Sequence, residues 1–363
     1  MRKKKIIIVN TVGLSYDGIT SVILTYLQAM DLDKFDIHVV STIKCEDSIK
    51  KKILELGCQV VELPSRNKET IKYLFSLIRY IRLNRIEIIH AHGNSATLTI
   101  EMFAGVIGGC KKRIAHSHNT QCSQVRTDKL LRPLFYRLYT DAFACGRAAG
   151  EWLFGKNEFR VLNNGRNLQK FAFDSDVRKK MRTKYGITEE LVIGHVGGFN
   201  PQKNHEFVLK IFKEIIKIEP KTKCFFIGDG PLKSNIEKKA EKISKNVFFV
   251  GTTDVIADYL DMMDGMIFPS LFEGLPLVVL EWQINGLPSI LSDTITSQCA
   301  VASDVKFMSL KLSPEEWARE ILKLSSSCLN IRYEKSLEGQ KKVKQSGFDI
   351  SENAKLLEQV YLA

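Results

Sequence analysis

The segment Phe268-Pro-Ser-Leu-Phe-Glu273-Gly-Leu-Pro276-Leu-Val-Val-Leu-Glu281 predicts a strand, a loop and the start of a helix. The apolar run Gly265–Phe268 is typical of a buried strand, and Pro276 favours a helix start because proline fits the first turn. Loop amides at a helix N-terminus attract anions, and the carboxylates of Glu273 and Glu281 accept hydrogen bonds from hydroxyl groups. The segment therefore suggests a ligand that joins a sugar to a phosphate. The alternative is structural, with Glu273 at the helix start and Glu281 solvated.

Eleven other short β-branched runs alternate with helix-length segments along the chain, and their spacing predicts βαβ units around parallel sheets. The predicted strands are residues 6–9, 37–40, 60–63, 87–91, 113–116, 141–145, 160–162, 191–196, 223–227, 246–250 and 288–291. Residues 69–84 carry apolar side chains at helical spacing and predict an amphipathic helix. We place a domain boundary near residues 166–188, which gives two Rossmann-like domains.

Ligands of such domains bind beyond the carboxyl ends of the strands, so the loops there hold the candidate residues. After residues 191–196 come Gly197, Gly198 and Lys203, a glycine-rich turn with one ammonium that suits a phosphate, or an ordinary turn with a surface lysine. Gly228-Asp-Gly230 forms a tight turn, and the loop 251–255 offers backbone groups to a flat base. His90, His92, His116 and His118 lie near the ends of two strands as i, i+2 pairs. No carboxylate cluster accompanies them, so we predict no metal site.

The formal charge of +12 is concentrated in the first half of the chain. Residues 1–170 hold 27 Lys and Arg against 15 Asp and Glu, whereas residues 171–363 hold 26 of each. This asymmetry indicates either an anionic partner for the first half (a membrane surface, a phosphorylated lipid or nucleic acid) or a merely solvated basic surface. Nucleic-acid motifs are absent, and the basic Met1–Lys5 precedes an apolar run too short for a signal peptide. The eight cysteines form no disulfide or zinc pattern, so we expect a cytoplasmic protein.

Taken in order, the motifs resemble those of retaining glycosyltransferases of the GT-B fold in glycosyltransferase family 4, and especially the bacterial capsular and exopolysaccharide enzymes. The resemblance covers residues 5 to about 320. The matching motifs are His90-Ala-His-Gly93, Arg113-Ile-Ala-His-Ser-His-Asn119, Ala144-Cys-Gly146, Trp152-Leu-Phe-Gly155, Asn164-Gly165, Gln202-Lys-Asn-His205, Gly228-Asp-Gly230, Pro269 to Pro276 and Ser292-Asp293. The glutamates 273 and 281 match the family's E-x7-E element. The implied fold is two facing Rossmann-like domains with a deep interdomain cleft.

The resemblance also implies the domain roles and the site. Residues 1–167 would bind the acceptor, residues 168–345 the nucleotide-sugar donor, and a C-terminal helix in 346–363 could cross back to the first domain. His118, Glu273 and Lys203 would be catalytic: Glu273 would contact the hydroxyls of the donor sugar, Lys203 would neutralise the diphosphate, and His118 would lie near the reacting carbon. Glu281 would contact the nucleotide ribose, and the loop 251–255 the base. Further donor-binding residues would be Gly18, Gly197, Gly198, Gly228, Gly251, Thr252, Gly274, Leu275, Pro276, Leu277, Glu281 and Arg166. Transfer would be metal-independent and without a cofactor, and we expect a UDP-sugar as donor.

Two positions depart from the family pattern. Gly198 stands where many members have an arginine, so one cation for the diphosphate is missing. Asp17, in the glycine-rich first loop Gly13–Ile19, would repel a diphosphate unless it turned away. We expect Arg166 to supply the absent charge.

These departures leave a second hypothesis open: a non-catalytic homologue that binds a nucleotide sugar or a partner glycosyltransferase. A third, a nucleotide-sugar epimerase, fits the E-x7-E element less well. For the active enzyme we expect a glycan or lipid-linked acceptor and a location at the inner face of the plasma membrane. Candidate membrane contacts are Lys50, Lys51, Lys52, Arg79, Arg82, Arg85, Lys111, Lys112, Lys129, Arg132 and Arg137.

Overall fold

The structure is a computed structural model that describes residues 2–15, 17–42, 45–328 and 331–363. Two compact units make up the chain. The first unit combines Met1–Gly165 with Ile350–Ala363, and the second is Arg166–Asp349. The second unit thus begins two residues before the predicted donor domain, residues 168–345, and ends four residues after it. The last helix belongs to the first unit.

The first unit contains a seven-stranded sheet in the order β3-β2-β1-β4-β5-β6-β7, with every neighbouring pair parallel. Its strands are β1 (Lys4–Asn10), β2 (Phe35–Ser41), β3 (Gln59–Glu62), β4 (Ile88–Gly93), β5 (Lys112–Ser117), β6 (Asp141–Ala144) and β7 (Arg160–Val161). Its helices are α1 (Gly18–Ala29), α2 (Asp47–Glu55), α3 (Thr70–Asn84), α4 (Thr99–Gly108), α5 (Val125–Leu138), α6 (Arg147–Phe154) and α15 (Ile350–Leu362). One core joins α1, α2 and α15 to one face of the sheet, and another joins α3 to α6 to the opposite face.

The second unit contains a six-stranded parallel sheet in the order β10-β9-β8-β11-β12-β13. Its strands are β8 (Val192–Val196), β9 (Lys223–Ile227), β10 (Val247–Gly251), β11 (Gly265–Phe268), β12 (Ser289–Ser292) and β13 (Val305–Met308). Its helices are α7 (Leu168–Phe171), α8 (Ser175–Lys184), α9 (His205–Ile218), α10 (Lys233–Ala240), α11 (Ile256–Met262), α12 (Leu277–Ile284), α13 (Pro314–Cys328) and α14 (Arg332–Gln345).

These two sheets confirm the predicted pair of Rossmann-like domains. Each of the twelve predicted strands is present, with ends that move by at most two residues, while β13 was not predicted. Strand order reverses direction between β1 and β4 and again between β8 and β11. Ligand sites of open parallel sheets lie at such switch points, beyond the carboxyl ends of the strands. The loops after β8 and β11 are therefore where a site in the second unit is expected.

Helix α12, which carries Glu281, packs against α14 through a glycine. A Cβ atom at Gly339 would lie 1.7 Å from the carbonyl oxygen of Gln283, so only glycine permits this close approach of the two helices. The position of Glu281 thus depends on backbone contact between α12 and α14.

We expect Gly339→Ala to destabilise the protein by about 1 to 3 kcal/mol, because the added methyl group overpacks this contact. The sign of this change in unfolding free energy is informative, because alanine in a helix interior normally stabilises by up to about 1 kcal/mol relative to glycine. Urea unfolding measures the change, with Lys341→Ala on the exposed side of α14 as the matched control. A Gly339→Ala protein as stable as the wild type would show that the two helices do not meet this closely.

Candidate functional site

The loops after β8 and β11 are joined by hydrogen bonds at the switch point of the second sheet. The Gln202 side chain donates to the carbonyl of Phe272 over 2.8 Å, and the Leu271 amide donates to the Gln202 carbonyl over 2.8 Å. The Asn204 side chain donates to the carbonyl of Pro269 over 3.2 Å. These contacts give the Gln202-Lys-Asn motif a structural reason: it fixes the loop that carries Glu273.

Lys203 and Glu273 form an ion pair between these two loops. The Lys203 Nζ lies 2.7 Å from Glu273 Oε1 and 4.5 Å from the centre of the Phe268 ring. Both side chains are largely buried, with 17% and 10% of their surfaces exposed. An ammonium has three donors and a carboxylate several acceptor sites, so each partner retains capacity for another ligand. The structure therefore brings together the two residues predicted to meet the diphosphate and the sugar.

The N-terminus of α12 follows Glu273 directly. Pro276 occupies the cap position with φ −73° and ψ 100°, and no side chain caps this helix. Leu277 is its first residue, and Leu275 is partly buried. A Cβ atom at Gly274 would have no neighbour within 4 Å, so space surrounds this part of the loop. An uncapped helix start beside open space is a place where a negative group is stabilised.

Glu281, inside α12, forms the second ion pair of this region. Its Oε1 lies 2.8 Å from Arg166 Nε, with 12% and 9% of the two side chains exposed. Burial raises the pKa of Glu281, whereas Arg166 and Lys170 act against that shift. Arg166 was expected to supply charge for the diphosphate. In this structure it pairs instead with Glu281, the carboxylate predicted to bind the ribose. Glu281 is not the solvated helix residue of the structural alternative.

The glycines of the predicted donor loops pack backbone against backbone. Gly228 and Gly230 have φ values of +139° and +152°, and Cβ atoms there would lie 2.1 Å from the Gly197 carbonyl and 2.7 Å from the Phe199 carbonyl. Gly197 also leaves room for the Lys203 side chain, whose Cδ would lie 3.2 Å from a Cβ atom. Gly198, by contrast, has no close neighbour, so nothing in the structure accounts for the loss of an arginine there.

A cation that the sequence reasoning missed, Lys233, lies beside the loop that begins with Gly251 and Thr252. Gly251 has φ +81°, and a Cβ atom there would lie 3.6 Å from Lys233 Nζ. Lys233 opens α10, where it forms longer ion pairs with Asp229 and Glu237, at 3.6 and 3.9 Å. The sequence signal that could have identified Lys233 is its position one helical turn after the Gly228-Asp-Gly230 motif. Thr252 is exposed.

Asp17 in the first unit turns toward its own helix. Its Oδ1 accepts hydrogen bonds from the amides of Ile19 and Thr20 over 2.8 and 3.0 Å, and its Oδ2 accepts from the Thr20 hydroxyl over 2.7 Å. The carboxylate therefore caps α1, whose first residue is Gly18, and occupies the helix-start amides that could otherwise bind an anion. Tyr16, in the predicted loop Gly13–Ile19, lies outside the described residues.

Four histidines form two hydrogen-bonded pairs at the carboxyl ends of β4 and β5. His92 Nδ1 lies 2.8 Å from His118 Nε2, and His90 Nε2 lies 3.2 Å from His116 Nδ1. The pairs stack, with 4.3 Å between the ring centres of His90 and His92 and the same between His116 and His118. Tyr361 of α15 adds a 2.6 Å contact between its hydroxyl and His90 Nδ1. We call this group the histidine array.

The histidine array is held in its neutral form. Burial lowers the pKa of His90 to about 3 and that of His118 to about 4, where Asp17 partly opposes the shift. Burial also lowers the pKa values of His92 and His116 well below their ordinary range. Nitrogen atoms of His90, His92 and His116 lie within 4.8 Å of one another, as metal ligands could. These nitrogens are, however, largely engaged with one another in pairs, so the absence of a resident metal stays a prediction.

Comparison with known proteins identifies the family of this chain. The family described as "Glycosyl transferases group 1" matches residues 190–327. EpsF of Bacillus subtilis, which is named as a glycosyltransferase, is 30% identical over 332 residues, 87% of this chain and 86% of its own length. The UDP-Gal:alpha-D-GlcNAc-diphosphoundecaprenol alpha-1,3-galactosyltransferase of Escherichia coli is 24% identical over 79% of each chain.

Among solved structures, the Anabaena protein HepE in complex with UDP has a TM-score of 0.78 at 16% identity and covers 98% of this chain and 99% of its own. This likeness supports the GT-B fold, and the relationship to EpsF extends over most of both chains. The chain belongs to the group 1 glycosyltransferases.

Proposed function

We propose that this glycosyltransferase moves a hexosyl residue from a nucleotide sugar, a UDP-sugar in the first instance, to a glycan acceptor in capsular or exopolysaccharide biosynthesis. The reaction would retain the anomeric configuration, as in family 4, and would require no metal or other cofactor. The observation that carries the proposal is the pair of carboxylates at the start of and within α12, each held beside a cation. The Escherichia coli relative supports a UDP-sugar donor and a lipid-linked acceptor, and with them a place at the inner membrane face.

Each ion pair fits one part of such a donor. Glu273 can accept from sugar hydroxyls while Lys203, still in contact with it, donates to a phosphate oxygen. The amides of Gly274 and Leu275 at the start of α12 add donors for a negative oxygen. Glu281 can accept from the ribose hydroxyls, with its charge maintained by Arg166. The donor groups thus follow one another along the loop and helix in the order sugar, phosphate and ribose.

The reaction places its charge on the departing diphosphate. The bond between the anomeric carbon and the phosphate oxygen breaks, and its electron pair leaves with the nucleoside diphosphate. The acceptor oxygen bonds to the same face of that carbon, and its proton passes to the leaving phosphate oxygen, so no separate base is needed. Lys203 and the helix-start amides stabilise the developing charge. Neutral His118 would contact the sugar near the reacting carbon.

A non-catalytic homologue that binds a nucleotide sugar or a partner glycosyltransferase remains the second candidate. Two observations favour it: Gly198 stands where a cation is usual, and Asp17 occupies the amides at the start of α1. Both lower the capacity to stabilise a diphosphate. The two candidates differ in one measurement, the release of nucleoside diphosphate from a panel of nucleotide sugars with and without acceptor.

We expect Glu273→Ala to reduce turnover at least about a hundredfold, because its contact with the sugar persists into the transition state. Lys203→Ala should abolish detectable turnover, since the departing diphosphate loses its cation. Initial rates of nucleoside diphosphate release measure both. The control is Glu206→Ala, an exposed glutamate at the start of the neighbouring α9. Near-normal turnover by a folded Glu273→Ala protein would end this assignment.

We expect Glu281→Ala to weaken UDP binding about tenfold or more in calorimetry. Arg166→Ala should weaken it too, since an unpaired buried carboxylate becomes protonated. If Arg166 acts through Glu281, adding Arg166→Ala to Glu281→Ala costs little further affinity. If Arg166 instead binds the diphosphate, the double variant loses additional affinity for UDP but not for uridine. Unchanged UDP binding by Glu281→Ala would contradict the ribose role.

The neutral histidine array predicts a pH-dependent stability. The pKa of His90 is about 3 in the folded chain and about 6.5 in an unfolded one, so the unfolded chain binds more protons between these values. Stability should therefore fall as pH falls below about 6.5, by about 2 kcal/mol between pH 7 and 5 for this group. Denaturant unfolding of His90→Gln should show that much less pH dependence than the wild type. Asn119→Gln, which alters no titrating group, is the control, and equal slopes for His90→Gln and wild type would contradict a neutral array.

A further inference from the structure

The outward surfaces of α3, α4 and α5 form one helical layer of the first unit. These helices pack side by side, α3 against α4 and α4 against α5, and share one core beneath them. Large apolar side chains point outward from all three. They are Ile71 and Phe75 on α3, Phe103 and Ile107 on α4, and Leu130 and Leu134 on α5. Leu130 is 80% exposed and Ile71 is 74% exposed, which is unusual for residues of this size. We call this surface the α3–α5 face.

Cations lie beside these apolar side chains at helical spacing. Arg79 is four residues after Phe75, Arg126 is four residues before Leu130, and Lys129 directly precedes Leu130. Arg137 is three residues after Leu134. All four are exposed. Residues three or four apart share one side of a helix, so α3 and α5 each carry exposed cations on the same side as exposed apolar residues, whereas α4 contributes apolar residues only.

No carboxylate of the three helices reaches this surface. Their only acidic residues are Glu101 and Asp128, and both are buried. Glu101 pairs with Arg66 over 2.7 Å and Asp128 with Arg132 over 2.8 Å. The acidic residue just before α3, Glu69, pairs with Lys72 over 3.0 Å. Among the charged residues of α3, α4 and α5 themselves, only cations are therefore exposed beside this apolar surface.

This arrangement narrows the set of candidate membrane contacts named from the sequence. Lys50 and Lys51 form ion pairs with Glu62 and Glu55 and lie on or beside α2, which packs against the opposite side of the sheet. Arg132 also donates to the Tyr136 hydroxyl and lies over the Trp152 ring, so it holds α5 in place. A charge reversal at Arg132 would therefore disturb the fold and is a poor probe of the surface.

We propose that the α3–α5 face docks this protein on an anionic lipid bilayer. Cations attract an anionic leaflet, and adjacent apolar side chains enter the boundary between headgroups and acyl chains. No helix among the described residues is both long and apolar enough to cross a bilayer. Three helices that expose cations and apolar side chains but none of their own carboxylates match a uniformly negative, deformable surface. The proposal stands apart from the transfer reaction, since it rests on this surface alone.

Charge reversal tests the electrostatic half. The full chain should sediment with vesicles of phosphatidylglycerol and phosphatidylcholine at 0.1 M salt but not with phosphatidylcholine alone. Binding should fall at 1 M salt, where the Debye length shortens from about 10 Å to about 3 Å. Arg79→Glu with Arg137→Glu should weaken partitioning at least about tenfold. Lys51→Glu with Lys355→Glu, on helices of the opposite layer, makes the same charge change and should leave most of the binding. Equal losses in both variants would overturn the assignment of the face.

Fluorescence tests the apolar half. Leu130→Trp should show an emission shift to shorter wavelength with anionic vesicles, as the indole enters the bilayer. Leu54→Trp, at an exposed apolar position on α2, should show none. Absence of vesicle binding at low salt, or the same shift for both tryptophans, would overturn the proposal. It would also be overturned if sedimentation equilibrium showed a dimer that Leu130→Ser dissociates, since the occupant of the face would then be a second copy.

Discussion

The candidate site depends on three hydrogen bonds that connect the loops after β8 and β11. Parallel strands leave a gap between loops where their order reverses, and a gap alone positions nothing. Here the Gln202 side chain and backbone bridge it, and Asn204 adds a third hydrogen bond. Lys203 lies between these two residues, so its ammonium is carried to Glu273 by contacts that do not involve charge. The ion pair between Lys203 and Glu273 is therefore a consequence of these hydrogen bonds, not what connects the loops.

The two ion pairs are costly to build and therefore informative. Removing charges from water costs several kcal/mol per ion, and apolar residues of the same size often serve stability as well or better. Both pairs nevertheless include a carboxylate before or within α12, with 9 to 17% of each side chain exposed. Residual exposure leaves their unused donors and acceptors within reach of a ligand. A ligand of hydroxyl groups and phosphates can join such pairs without leaving a charge unpaired.

The sequence predicted which residues follow which strands, but not which side chains they meet. Strand runs and loop motifs depend on local periodicity, so Lys203, Glu273 and the glycines of the donor loops were found together with the fold. Partners depend on tertiary contacts. Asp17 was expected either to repel a phosphate or to turn away, and it became the cap of α1. Arg166 was expected to meet a diphosphate and faces Glu281. Strand β13 was missed because it is a short edge strand with half-exposed side chains and no strong apolar run.

The charge asymmetry shows why a net count describes a surface poorly. The first half of the chain carries all of the excess positive charge, yet several of its cations form ion pairs with acidic residues of the same unit. What distinguishes α3, α4 and α5 is the fate of their carboxylates. Glu101 and Asp128 are buried beside arginines, so the surface loses its negative charges while Arg79, Lys129 and Arg137 remain in solvent. Arg66 and Arg132 thereby affect the charge of the surface indirectly, because the carboxylates that they neutralise are buried and no longer exposed to solvent. The exposed Phe75 and Leu130 therefore lie on helices whose only exposed charges are positive.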